Sequence, residues 1–257
     1  MSSRTPLKAE AFVLRTLDYG DSDRIVTFLT EDFGKVRGIA KGARKSRKRF
    51  ANALEPFSRV RILFSRRSRD SLALIEMSEP VDHHEALRGD LEKTLLASCV
   101  VDLADHFSVE GKPNDSLYGL VRDFLHLLDR EPALTEDHLR FFEIRLLKAA
   151  GFEPVLDRCT ACRCEAGNGT WRFDPRQGGV RCGACGTEDP DAVTVTAGTL
   201  KTLLLGKDVE LERIGRIGFT RQAAEESRAL TARFIRHLLG REIKSLQVLR
   251  AVRRLGE

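Results

Sequence analysis

The feature that most constrains this chain is a set of four cysteines in two pairs. Cys159-x2-Cys162 is followed, after 19 residues, by Cys182-x2-Cys185. Each CxxC closes a tight turn that presents two thiolates to one ion, and two such turns complete a tetrahedron. Gly183 and Gly186 suit the backbone of the second turn. Four sulfurs fill the shell of a zinc ion and leave no open position for a water nucleophile. The spacing therefore predicts a structural Zn2+ site rather than a catalytic one. Rubredoxin-like iron and disulfides are the alternatives it leaves open. Cys164, two residues beyond the first pair, is a spare thiol or a substitute ligand, and Cys99, within Leu95–Val101, reads as a core residue.

Charge is the second constraint. The chain carries 43 Lys+Arg against 38 Asp+Glu, a net charge of +5 that hides strong segregation. Residues 35–69 hold 13 basic groups and a single acid, Glu55, whereas 70–212 carry a net −12 and 213–257 a net +7. The densest part is Lys41, Arg44, Lys45, Arg47, Lys48 and Arg49, in a stretch with no acid between Asp32 and Glu55. Phosphate backbones reward such density, because each neutralised phosphate releases counterions. A solvated charged loop is the bland alternative. Two neighbouring strand-like segments favour an anion-binding surface: Lys35, Arg37 and Lys41 share one face of 35–41, and Arg59 and Arg61 share one face of 59–64. The candidate nucleic-acid contacts are therefore Lys35, Arg37, Lys41, Arg44, Lys45, Arg47, Lys48, Arg49, Arg59 and Arg61. Nothing in this set specifies bases. Phe50, Phe57 and Phe64 stand nearby but fit a core better than a stacking surface.

Periodicity divides the chain. Up to about residue 80 the alternation suggests strands at Ala11–Thr16, Lys35–Lys41, Arg59–Phe64 and Leu72–Met77, with Arg24–Thr30 ambiguous between strand and helix. Ile39 interrupts the polar face of its strand. Four or five short strands in this length suggest a small barrel. Beyond Pro80 the period is helical. A long helix is expected over Asp82–Phe107, a second over Asp115–Leu128 after Asn114, and a third after Thr135 with Leu139, Phe142 and Leu146 on one face. Helices are expected again over 196–205, 220–239 and 245–255. His83-His84 reads as exposed or capping.

The chain shows no phosphate-binding loop, no dinucleotide fingerprint and no zinc-deaminase signature, and no residue stands out as a nucleophile. No apolar run approaches the roughly 18 residues of a membrane span, and the N-terminus lacks the apolar region of a signal peptide. A cytoplasmic protein that is not an enzyme is the expectation.

The segments Ala11–Thr30 (with Tyr19-Gly20 and Asp23-Arg24), Gly34–Arg44 (with Gly38, Lys41 and Gly42) and Leu54-Glu55-Pro56-Phe57 together resemble the bacterial DNA repair protein family RecO. The resemblance is specific over about 9–80, and the four-cysteine insert within a helical half agrees with the family's layout. It implies an α+β chain of three parts: an OB-fold barrel for nucleic acid over 1–80, a helical domain over 81–154 and 191–257, and a zinc-binding insert over 155–190. It also implies binding of single- and double-stranded DNA, strand annealing without ATP, and loading of RecA onto DNA coated by single-strand-binding protein. The implied partners are RecR, that coating protein and RecF, at the bacterial nucleoid, with no membrane. An RNA-binding or ribosome-associated zinc protein is the rival reading.

Overall fold

The computed structural model describes residues 6–46, 48–50, 52–66, 71–132 and 134–256. They form two compact units, one ending at Arg130 and one beginning at Glu131. Divided this way, the first helices fall with the barrel, whereas the changes in period and composition fall at 80, 155 and 190.

In the first unit, β1 (Leu7–Tyr19), β2 (Asp23–Thr30), β3 (Gly34–Ala40), β4 (Arg59–Ser65) and β5 (Ala73–Asp82) close into a barrel of order β1-β2-β3-β5-β4. Every pairing is antiparallel except β3 with β5, the arrangement of an OB-like barrel. Alternation does the sorting. Val26, Phe28, Val36, Ala40, Val60, Ile62, Phe64 and Ile75 fill the interior, and Phe50 and Leu54 close it. A bulge between Val13 and Arg15 shifts the register of β1, so Val13 faces inward while Arg15, Leu17 and Tyr19 beyond it face outward. Pairing on both edges makes the ambiguous segment Arg24–Thr30 a strand. Gly34 has φ +64°, and a Cβ there would collide with the Lys112 carbonyl, so glycine is required on both counts.

The helix expected over Asp82–Phe107 is corrected to three pieces. β5 runs through Pro80 to Asp82, a short helix α1 (Glu85–Arg88) follows, and α2 (Leu91–Phe107) starts afresh. Asp90 sets that start, accepting a hydrogen bond from the Lys93 amide at 3.0 Å. His84 stands at the N-cap position of α1, one of the two readings for it, but the exposed alternative is corrected. It is buried, with its ring 6.4 Å from that of Phe12, because the chain must turn through a left-handed residue (φ 50°) to bring α1 onto the barrel. α3 (Asp115–Arg130) starts at Asn114, whose side chain accepts from the Leu117 amide at 2.9 Å.

The second unit contains α4 (Glu136–Ala149), β6 (Thr170–Asp174), β7 (Gly179–Arg181), β8 (Val193–Thr196), α5 (Ala197–Asp208), a 3-10 turn (Leu211–Arg216), α6 (Arg221–Leu239) and α7 (Lys244–Gly256). The three strands form a small antiparallel sheet in the order β7-β6-β8. Its Phe173 meets Phe234 of α6 edge-on, with ring centroids 5.3 Å apart. α4 packs against α5 closely enough that a Cβ on Gly206 would enter the Phe141 ring. Within α4, Arg140 and Glu143 pair at 3.0 Å and are fully buried, and burial pushes the Glu143 carboxyl up in spite of the guanidinium. Among the described residues, no helix is long and apolar enough to cross a membrane.

Candidate thiol centre and nucleic-acid interface

The thiol centre lies before and beside β6 and β7. The Thr160 amide bonds to the Val180 carbonyl at 2.9 Å, which docks the first cysteine turn on β7. Cys159, Cys162, Cys164 and Cys182 bring their sulfurs within 4.8 Å of one another. The Cys162–Cys182 separation of 3.7 Å is close to the edge of about 3.8 Å expected for a tetrahedron with Zn–S bonds of about 2.3 Å. The donor set therefore fits a metal ion. Cys185, the fourth ligand expected from spacing, faces Cys162, Cys182 and Cys159 but stands outside the mutually close set. Cys164, the spare thiol, stands inside it, 3.4 Å from Cys162.

Backbone geometry prepares the first thiol of each pair. Burial pushes the Cys159 thiol up, but amides of Cys182, Cys162 and Ala161 aim at the sulfur and bring it down to about 6. The Cys185 amide lowers Cys182 in the same way. Cys164 and Cys185, each crowded by neighbouring thiols, are pushed up to about 12. Five thiols thus converge where the spacing alone suggests four.

The basic residues separate into two groups. Lys35 is half-buried and bonded through Nζ to the Asp105 carboxylate of α2 at 3.0 Å and to its carbonyl. Arg59 pairs with Glu10 at 2.6 Å and Arg61 with the same carboxylate at 3.4 Å; the Arg59 hydrogen bond holds Glu10 below the usual carboxylate range. Arg44 reaches Asp18 at 3.6 Å, and Arg49 donates to the Lys41 carbonyl at 2.7 Å while its guanidinium lies over Phe50. Arg37, Lys45 and Lys48 are exposed and, among the described residues, carry no ion pair. Lys41 is exposed beside Asp23, whose carboxylate is lowered first by the Gly42 amide. Arg47 lies outside the described residues. Phe50, Phe57 and Phe64 are all buried and unavailable for stacking.

A family model for the N-terminal part of recombination protein O matches residues 1–84, and one for its C-terminal part matches residues 88–247. The DNA repair protein RecO of Syntrophus aciditrophicus (strain SB) is 48% identical over the full length of both chains. The chain belongs to the RecO family of DNA repair proteins. Its similarity extends to RecO of Anaeromyxobacter dehalogenans (strain 2CP-C), 37% identical over 95% of each chain. RecO of Symbiobacterium thermophilum is 38% identical over 95% of this chain and 96% of its own.

Within this RecO-family chain, three cations of the C-terminal basic block are engaged by other elements. Arg228 pairs with Glu136 at 3.1 Å, Arg236 with Asp191 at 2.7 Å, and Arg233 donates to the carbonyls of Asp191 and Ala192. These cations tie α6 to α4 and to the loop before β8. The sequence reading missed Arg15, which is exposed, without an ion pair among the described residues, and opposite Thr27, itself opposite Arg37. Two-residue alternation from Ala11 places Arg15 inside the barrel. Only the bulge turns it out.

Proposed function

We propose that this chain is a recombination mediator without turnover chemistry. In this reading it binds single- and double-stranded DNA, anneals complementary strands without ATP, and works with RecR, and with RecF as a further partner, to load RecA onto DNA coated by single-strand-binding protein at the bacterial nucleoid. The observation that carries the reading is the exposed set Arg37, Lys45 and Lys48, without ion pairs among the described residues, with Lys41, on an OB-like barrel of a RecO-family chain. Annealing needs two polyanions held together with their base edges left free, which contacts to phosphate alone achieve. Arg44, Lys45, Lys48 and Arg49 form the denser half of this surface, and Arg47 belongs to the same basic run in sequence. Lys35, Arg59 and Arg61 support it from tied positions.

In the same proposal a structural Zn2+ sits in the thiol centre, held by Cys159, Cys162, Cys182 and Cys185, with Cys164 as the spare thiol. The amide-to-sulfur bonds of both CxxC turns support this set. Residues 155–190 act as the zinc-binding insert of the helical domain, and 1–80 as the DNA-binding domain.

A salt titration tests the DNA surface. For Arg37→Ala with Lys45→Ala and Lys48→Ala, the slope of log K against log salt on a single strand should flatten by about 2, at roughly 0.7 per lost contact. All sequences should weaken alike, and annealing should slow in parallel. An unchanged slope removes this surface from the mechanism. Structured RNA that outcompetes single-stranded DNA moves the reading to RNA.

A further inference from the structure

The first cysteine turn brings three thiols to a centre whose paired CxxC pattern uses two from each side. Its backbone explains how the third arrives. The Cys159 amide donates to the Cys164 carbonyl at 2.8 Å and the Ala166 amide to the Asp157 carbonyl at 2.8 Å, so residues 157–166 fold back as a short hairpin. Arg163, between Cys162 and Cys164, is left-handed (φ 67°), a backbone that residues with a side chain rarely adopt. The bend sets the two cysteines side by side, with their sulfurs 3.4 Å apart.

These two thiols differ from the other three in access. Cys159 is buried and Cys182 and Cys185 are half-buried, whereas Cys162 and Cys164 are exposed. One of the exposed pair belongs to the proposed metal set and the other does not, so a bond between them takes a single ligand from the metal. A bond between Cys162 and Cys182, 3.7 Å apart, takes two. Closing the exposed pair from 3.4 Å to the roughly 2.05 Å of a disulfide needs a movement of about 1.4 Å.

We propose that Cys162 and Cys164 are a peroxide-reactive pair, in which Cys164 resolves the oxidised ligand and makes loss of the metal reversible. The Cys162 thiolate attacks one oxygen of hydrogen peroxide, the O–O bond breaks, hydroxide departs, and Cys162 becomes a sulfenic acid. The Cys164 sulfur then attacks the Cys162 sulfur. The S–O bond breaks, and the Cys164 proton leaves with that oxygen as water. Two electrons pass from the thiol pair to the peroxide, and the products are a disulfide, water and hydroxide. Three thiolates remain at the centre, and a chelator draws the metal from them. A phosphine or a dithiol reduces the bond and restores the site. A sulfenic acid with no spare thiol beside it takes up more oxygen and ends as a sulfinic acid, which thiols do not reduce. The inference rests on the zinc reading above and gives the spare thiol a task.

The test uses the zinc-loaded full chain, hydrogen peroxide and a chromophoric zinc chelator. A peroxide pulse should release the zinc of the wild type. Trypsin cuts after Arg163, so a Cys162–Cys164 bond is read by mass spectrometry as a cross-link between two peptides. A phosphine with added zinc should then restore the metal content and the protease resistance of residues 155–190. Cys164→Ser should hold zinc as isolated, release it under peroxide and fail to regain it, with Cys162 heavier by two oxygens. A Cys164→Ser chain that recovers as fully as wild type overturns the proposal and leaves the zinc reading intact. So does a wild type that keeps its zinc under peroxide, or one that loses it with Cys162 and Cys164 unlinked. A Cys164→Ser chain isolated without zinc also overturns it, by making Cys164 a ligand. A wild type isolated without zinc overturns both readings.

Discussion

The thiol centre and the basic barrel face differ in what they are built on. The barrel has a continuous interior of Val, Ile and Phe side chains, so its exposed cations Arg37, Lys45 and Lys48 can be changed without touching that interior. The stretch from 155 to 196 is short and buries little: Leu156, Trp171, Phe173, Val180, Val193 and Val195 are its main apolar residues, and part of that burial is against α6. A segment of this size rarely supports itself without a metal or a neighbour. The difference teaches that one site is dispensable to the fold and the other is part of it.

The largest test of this contrast is loss of the metal. Cys182→Ser should remove bound zinc, as measured by elemental analysis, and open residues 155–190 to protease. Structural zinc contributes on the order of 10 kcal/mol to folding in small zinc modules. The first unit should keep its amide protection and its salt-dependent DNA binding. If the barrel unfolds as well, the two regions are not independent. Cys164→Ser sharpens the ligand assignment: it should keep the metal, whereas Cys185→Ser should lose it, and the reverse result exchanges the two thiols.

A finer test lies on one strand. Lys35 and Arg37 are two residues apart on the same face of β3, yet one is tied to Asp105 and the other carries no ion pair among the described residues. Lys35→Ala should lower stability by about 1.5–3 kcal/mol, the range for hydrogen bonds to charged groups, with little change in the salt slope. Arg37→Ala should shift stability by less than about 0.5 kcal/mol and flatten the slope by about 0.7. Denaturant titration and DNA binding on the same samples would break the comparison if the two effects were interchanged.

The smallest effect is a pH dependence present in both units. Burial pushes the His84 ring down, against the opposing pull of Asp82 and Asp129, and burial lowers His138 against Asp137. A lowered folded pKa means that the unfolded chain binds the proton more readily. Stability is therefore complete above about 6.5 and falls as pH drops below it. His84→Asn, which tolerates the left-handed backbone, should reduce the loss of amide protection in α1 and α2 between pH 7.5 and 5.5. An unchanged loss would place its origin elsewhere.

Much of this was legible residue by residue. The alternation in Val60, Ile62 and Phe64 is a local property, and so is the pairing of CxxC turns, because neighbours along the chain fix both. The helix predicted over Asp82–Phe107 failed because one of its two interruptions is not local. Apolar period continues through 82–107, but β5 pairing through Asp82 and the cap at Asp90 interrupt it. His84 could not be placed either, since its burial depends on Phe12, more than seventy residues away.

The sequence by itself determined the family, the barrel-then-helices order and the presence of a thiol centre, because periods and spacings act over a few residues. The tertiary structure alone decided which cations are available. Counting charge along the chain gives Lys35, Arg37 and Arg59 equal standing, while folding places Asp105 beside the first and Glu10 beside the third, and leaves Arg37 without an ion pair among the described residues. It alone also brought Cys164 beside Cys162 and Cys182, and aligned Leu17, Ile25, Ile39 and Leu74. Electrostatic pairing and cross-strand register are set by distance through space, which no spacing along the chain encodes.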